Sequence, residues 1–158
     1  MRPEVADTSA PRLGEARGAP VVSATPVLVL DPDHALRESW REALAAAGYV
    51  AFSAATLSDA IAMIEGDVRF VAALVDLRMG QHFRRYPLAV PVVYTSGDSR
   101  AEVLSAGLIA ETDHFLQMPL HPAVLRALLD RIAIRRRVLA RYGLPEPAEP
   151  QQLLADAC

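Results

Sequence analysis

The chain contains no lysine: all 16 of its basic residues are arginine. This removes every chemistry that needs an amine side chain, including a Schiff-base lysine, a P-loop lysine or a lysine clamp on a phosphoryl group. Asparagine is missing as well, and the single cysteine is the last residue, Cys158. An intramolecular disulfide and a cysteine-rich zinc site are therefore excluded, and a reducing compartment fits. Apolar runs are short and broken by Asp, Arg or Pro, so none approaches the length of a membrane span. The N-terminal stretch has no apolar core of signal-peptide length, and the terminal Asp-Ala-Cys lacks the residues that follow a prenylated cysteine. A cytoplasmic protein is expected.

What is present is the composition of a globular chain: 158 residues, 52% hydrophobic and 22% charged. That suits one domain with tails rather than two full domains. The net charge of −3 speaks against nucleic-acid binding by bulk electrostatics. Of 12 prolines, seven lie in or beside the two ends. Residues 1–25 and 143–158 are expected to be disordered tails around a domain at 26–142.

Between the ends the pattern alternates. Val27–Leu30 is a wholly apolar, branched run, as expected of a strand buried on both faces, and it ends in Asp31-Pro32-Asp33. A helix follows, with Leu36, Trp40 and Leu44 at helical spacing and Gly48 as its stop. Val50–Ser53 is a weaker strand, and Thr56 can cap the next helix. Phe70–Val75 ends in Asp76, Pro91–Tyr94 ends in Thr95-Ser96-Gly97, and His114–Met118 ends in Pro119. Helices are expected over Asp98–Ala110 and from about Pro122 to Arg141. This repeat predicts an α/β fold, a five-stranded parallel doubly wound sheet. In such sheets the functional crevice lies at the carboxyl ends of the strands. Asp31, Asp33, Asp76, Ser96 and Met118 all fall there. Carboxylates gathered at one edge tolerate each other when a hard cation sits among them, and one of them can accept a phosphoryl group. Any single Asp of the set is better explained as a helix or turn cap, and only their joint placement points beyond capping.

The ordered segments VLVLDPDHALRESWREALAAAGY, VAALVDLRMG, PVVYTSGD and FLQMPL resemble the receiver domain of bacterial two-component response regulators, over roughly Thr25 to Arg137. No one segment is specific alone, but their order on successive strand ends is. The resemblance implies a flavodoxin-like fold and a phosphorelay role with a histidine kinase or another signalling protein as partner. It implies Asp76 as phosphoacceptor, Ser96 as the switch hydroxyl and Phe115 as the switch aromatic. It also implies Mg²⁺ held by Asp31, Asp76 and the backbone carbonyl of Arg78; Asp33, one residue beyond the position of the acidic pair's second member, could substitute only if the loop is rearranged.

Three departures qualify that picture. Pro32 stands where the family has the second residue of its acidic pair, and it offers no side-chain ligand. Met118 stands where the family has a lysine, and a thioether cannot make a charge-assisted hydrogen bond to phosphate. Only an arginine could reach in instead, with Arg78 or Arg100 as candidates. The crossover from Gly80 to Val90 is also short for two parallel strands. The third helix is expected to be shortened or absent, confined to QHFRRY, with Phe83 and Tyr86 covering the sheet. Each missing charge contact is worth a few kcal/mol of transition-state stabilisation, so Mg²⁺ should bind weakly and phosphoryl transfer should be slow. The expected function is an atypical, stand-alone receiver-like protein acting mainly through protein contacts rather than as an enzyme. The alternatives are a normally phosphorylated single-domain response regulator and a nucleic-acid module using the last helix.

That helix carries Arg126, Arg131, Arg135, Arg136, Arg137 and Arg141 against one acidic residue, Asp130. A solvated helix end explains them better than a nucleic-acid contact. Leu125, Leu128, Ile132 and Leu139 allow a homodimer through the helix, but clean heptads are lacking. His34, His82, His114 and His121 show no metal-ligand spacing, and a metal-dependent phosphohydrolase is disfavoured by the missing lysine.

Overall fold

A computed structural model of the chain describes residues 24–85 and 89–146. The strands are β1 (Thr25–Leu30), β2 (Tyr49–Ala54), β3 (Ala73–Asp76), β4 (Val92–Ser96) and β5 (His114–Gln117). The helices are α1 (His34–Ala46), α2 (Leu57–Glu65), α3 (Leu77–Phe83), α4 (Arg100–Ser105) and α5 (Pro122–Arg141). All strand pairings are parallel, in the order β2-β1-β3-β4-β5. This is the expected five-stranded, doubly wound, flavodoxin-like sheet.

The alternation of side chains along each strand divides the core in two. Val27, Val29, Leu74 and Val93 face α1 and α5, where they meet Trp40, Leu44, Leu125 and Leu129. Leu28, Leu30, Val75 and Tyr94 face the other way, toward Ala60, Phe83 and Val103 of α2, α3 and α4. Both faces of the central strands are buried, which is why those strands read as continuous apolar runs rather than as alternating ones.

The third crossover differs in placement from its sequence expectation. α3 is short, with seven residues. It starts directly after β3, however, instead of occupying the QHFRRY window. Two local causes fix this. The Asp76 side chain accepts a hydrogen bond from the Arg78 amide and so caps the helix at its first turn. Gly80 does not end the helix but lies inside it, where a Cβ would come within 2.8 Å of the Tyr94 ring. Phe83 is buried on that sheet face as expected. Tyr86 lies outside the described residues.

α4 is also shorter than expected. Ser99 and Glu102 form a capping box that starts it at Arg100, two residues after the expected start at Asp98, and it ends before Gly107, which has φ 68°. α5 matches its expected span. The expected tail at residues 1–25 falls outside the described residues up to 23, and so do residues 147–158. Within the described part of the C-terminal end, Gly143 at φ 62° closes α5 in a Schellman turn. The Gly143 amide donates to Ala140 O and the Leu144 amide to Leu139 O. Glu146 then pairs with Arg136 at 2.9 Å, so Gly143 to Glu146 fold back on the helix rather than trailing from it.

Candidate functional site

The sheet order reverses beside β1, and the strand register fixes what meets there. Leu30 pairs with Val75, which brings the next residues, Asp31 and Asp76, to the same level. Asp76 pairs in turn with Thr95, and Ser96 with Gln117, so Ser96 arrives one step and Met118 two steps along the same edge. These residues line one open cleft of about 640 Å³, together with Leu36, Trp40 and Arg78. The sequence placed the cleft at the carboxyl ends of the strands, and the geometry puts it there.

Asp31 is 2% exposed. One of its carboxylate oxygens accepts the Asp33 amide at 2.8 Å. Asp31 lines the cleft, and among the described residues no buried side-chain oxygen lacks a hydrogen bond. Burial pushes the Asp31 carboxyl above its ordinary range. The Asp33 amide opposes this, and the neighbouring Asp76 carboxylate adds to it. Asp33 is occupied elsewhere: its side chain caps α1 by accepting the Leu36 amide at 3.1 Å. Pro32 contributes no side-chain donor.

Asp76 is held more tightly than the sequence suggested. Its Oδ1 accepts the Arg78 amide and Arg78 Nε, both at 2.9 Å. Its Oδ2 accepts Arg78 Nη2 at 3.1 Å. The result is a fork of guanidinium on carboxylate, with the Asp76 side chain 11% exposed and the Arg78 side chain 69% exposed. Of the two arginines that could have reached in, Arg78 does so. Arg100 turns the other way, to the carbonyls of Glu111 and Asp113. The Arg78 carbonyl, a ligand candidate by resemblance, sits inside α3. There helix geometry directs it along the axis toward the amide four residues on, away from the cleft at the helix start.

Ser96 Oγ accepts the Asp98 amide at 3.1 Å and lies 3.4 Å from an Asp98 carboxylate oxygen. Phe115 is half-buried and packs against the α2–α4 side of the core. Met118 packs against the α1–α5 side and lines the cleft.

The donor set fits a divalent cation poorly. Mg²⁺ needs oxygen ligands in near-octahedral order. One Asp31 oxygen is committed to the backbone, both Asp76 oxygens are committed to a guanidinium, and the Arg78 carbonyl is directed away. Among the described residues, no three His, Cys, Asp or Glu side chains are grouped so as to hold a metal ion.

A second charged cluster went unseen in the sequence. Arg84 donates to Asp113 at 2.7 Å and to the Tyr94 hydroxyl at 3.0 Å, with its guanidinium 4.5 Å from the Tyr94 ring centroid. Asp113 also accepts the Ala110 amide at 2.8 Å. The partners lie 10 and 29 residues from Arg84 along the chain, and no local spacing signals them. The Arg135–Arg137 run also divides. Arg136 turns inward to the carbonyls of Phe70 and Val71, while its neighbours remain exposed.

No family model matches the chain, and no curated protein matches it either. Solved structures do. A response regulator receiver protein from Sinorhizobium medicae WSM419 matches with a TM-score of 0.56 at 20% identity, covering 73% of this chain and 98% of its own. The receiver domain of sensor histidine kinase PA1611 from Pseudomonas aeruginosa PAO1, described with magnesium in its active-site cleft, matches at 0.53 and 19%, covering 70% and 98%. This chain has the receiver fold. A Rhodopirellula baltica structure titled as an adenylate cyclase matches too, with a TM-score of 0.59 at 16% identity and coverage of 76% and 95%. The receiver fold is thus shared with a protein of another description, and function has to be argued from the site. Among the described residues, no helix is long and apolar enough to cross a membrane.

Proposed function

We propose that this chain is a receiver-like module of two-component phosphorelay signalling that works mainly through protein contacts. Asp76 stands at the phosphoacceptor position, and Ser96 and Phe115 stand at the switch positions. The observation that carries this reading is the Asp31–Asp76–Ser96 edge of one cleft on a receiver fold, with Asp76 engaged by Arg78. An ordinary receiver needs its acceptor carboxylate available to a phosphoryl donor and a cation poised beside it. Here the acceptor is already paired, the lysine position is Met118, and the acidic pair is reduced to Asp31. A module in this condition keeps the surface by which receivers are recognised while losing speed in phosphoryl transfer. Its partner is a histidine kinase or another two-component protein.

Capture from cell extract tests the reading. Tagged wild-type chain and Asp76→Asn are compared, and the captured proteins are identified by mass. Two-component proteins retained equally by both support contact-driven signalling. Retention that Asp76→Asn abolishes supports a normally phosphorylated response regulator instead, and the absence of any two-component protein removes the reading.

A further inference from the structure

The acceptor carboxylate already has a cation, and it belongs to the chain. Arg78 lies two residues beyond Asp76 in the first turn of α3, close enough for backbone and side chain to grip the same carboxylate. Bidentate guanidinium–carboxylate geometry is the strongest and most directional form of such pairing. An exposed ion pair alone is worth little. In this one the carboxylate is nearly buried, and a helix cap pre-positions it, so the fork closes with little loss of side-chain freedom. Arg78 has no other hydrogen-bond partner among the described residues, and its exposed side chain covers Asp76 from the cleft side.

We propose that Arg78 is the resident cation of this cleft and excludes divalent metal from Asp76. The proposal rests on the reading of the cleft as a receiver pocket and adds its regulation: the acceptor is latched by a side chain that can swing away. A dication approaching Asp76 meets a positive charge held over the carboxylate and two oxygens that already accept three hydrogen bonds. With the guanidinium gone, Asp31 and Asp76 line the same cleft, and Mg²⁺ commonly settles for one or two carboxylates plus waters.

Trp40, the only tryptophan, lines the cleft beside Asp31 and reports occupancy by its fluorescence. Purified full-length wild type and Arg78→Gln are titrated with MgCl₂. The expected result is at least tenfold tighter, saturable binding by Arg78→Gln, lost again in Asp31→Asn/Arg78→Gln. A smaller ratio, or no saturable binding by the variant, overturns the proposal. Should Arg78→Gln fail to fold, the wild-type Arg78 Nε–H signal decides by NMR. Slow exchange with solvent that MgCl₂ leaves unchanged supports the latch, and exchange as fast as in free arginine removes it. Capture of two-component proteins separates this proposal from the reading beneath it. Tighter Mg²⁺ binding by Arg78→Gln, with no two-component protein retained by either form, sinks the receiver reading and keeps the latch. Equal metal binding, with two-component proteins retained by both forms, sinks the latch and keeps the receiver reading.

Discussion

At the residue scale, single side chains decide how the cleft is built, and two of them make sharp predictions. Gly80 sits under the Tyr94 ring, and Tyr94 is fully buried. Neither partner can retreat, because the ring fills the core between β4 and α3. Gly80→Ala is expected to cost about 1–3 kcal/mol by overpacking, although alanine is the better helix former. Chemical denaturation measures this, and an unchanged or raised midpoint would contradict the packing. Asp113 takes two hydrogen bonds in a nearly dry site, one from Arg84 and one from the Ala110 amide. Asp113→Ala leaves the guanidinium and the amide without their acceptor, an expected loss of about 3 kcal/mol. A loss under ~1 kcal/mol by the same assay would show that the cluster is ornamental. The sequence read these residues unevenly. Asp31, Asp76 and Ser96 were legible because they end strands, and strand ends can be found from apolar runs. Asp33 looked like a substitute ligand, but its position just before α1 made it a cap. Arg84 and Asp113 were not legible because their pairing is made by the fold and by nothing local.

At the element scale, the short third crossover shapes the site more than any strand does. The sequence showed that α3 had to be short. Its placement was misjudged because Gly80 was taken as a boundary, whereas a glycine can also mark close packing. Starting α3 at Leu77 is what puts the Arg78 side chain over Asp76 and directs the Arg78 carbonyl along the helix. β5 carries the element whose stability depends on pH. Burial lowers the pKa of His114, the positive charges of Arg131, Arg135 and Arg100 push the same way, and Asp113 opposes them. The folded state therefore binds the proton less well than the unfolded chain, whose histidine titrates near 6.5. Stability is full above that value and is lost as pH falls through it toward the lowered folded pKa. Thermal melts of wild type and His114→Gln are expected to diverge in this way: the wild type loses stability as pH falls below about 6.5, and the variant loses less. Parallel curves would contradict the assigned burial.

At the scale of the whole molecule, the fold was almost entirely legible. Five short apolar runs alternating with amphipathic stretches admit few arrangements besides a parallel doubly wound sheet. The function is less so, because the same fold serves proteins of different descriptions, and Pro32 and Met118 stand where the resemblance leads one to expect an acidic residue and a lysine. The basic residues of α5 illustrate the limit. They were read together as a solvated helix end, yet Arg136 is spent holding the carbonyls of Phe70 and Val71 and the carboxylate of Glu146. On the proposed reading, what is distinctive at this scale is a receiver fold whose acceptor position, Asp76, is closed by its own arginine. The most direct measurement of that claim is the intact mass of the purified chain after incubation with acetyl phosphate and Mg²⁺, beside Asp76→Asn and an ordinary receiver as reference. The account predicts no phosphate-sized gain in the wild type under conditions that label the reference fully. A stoichiometric gain that Asp76→Asn lacks would contradict it and make the chain a working phosphoacceptor.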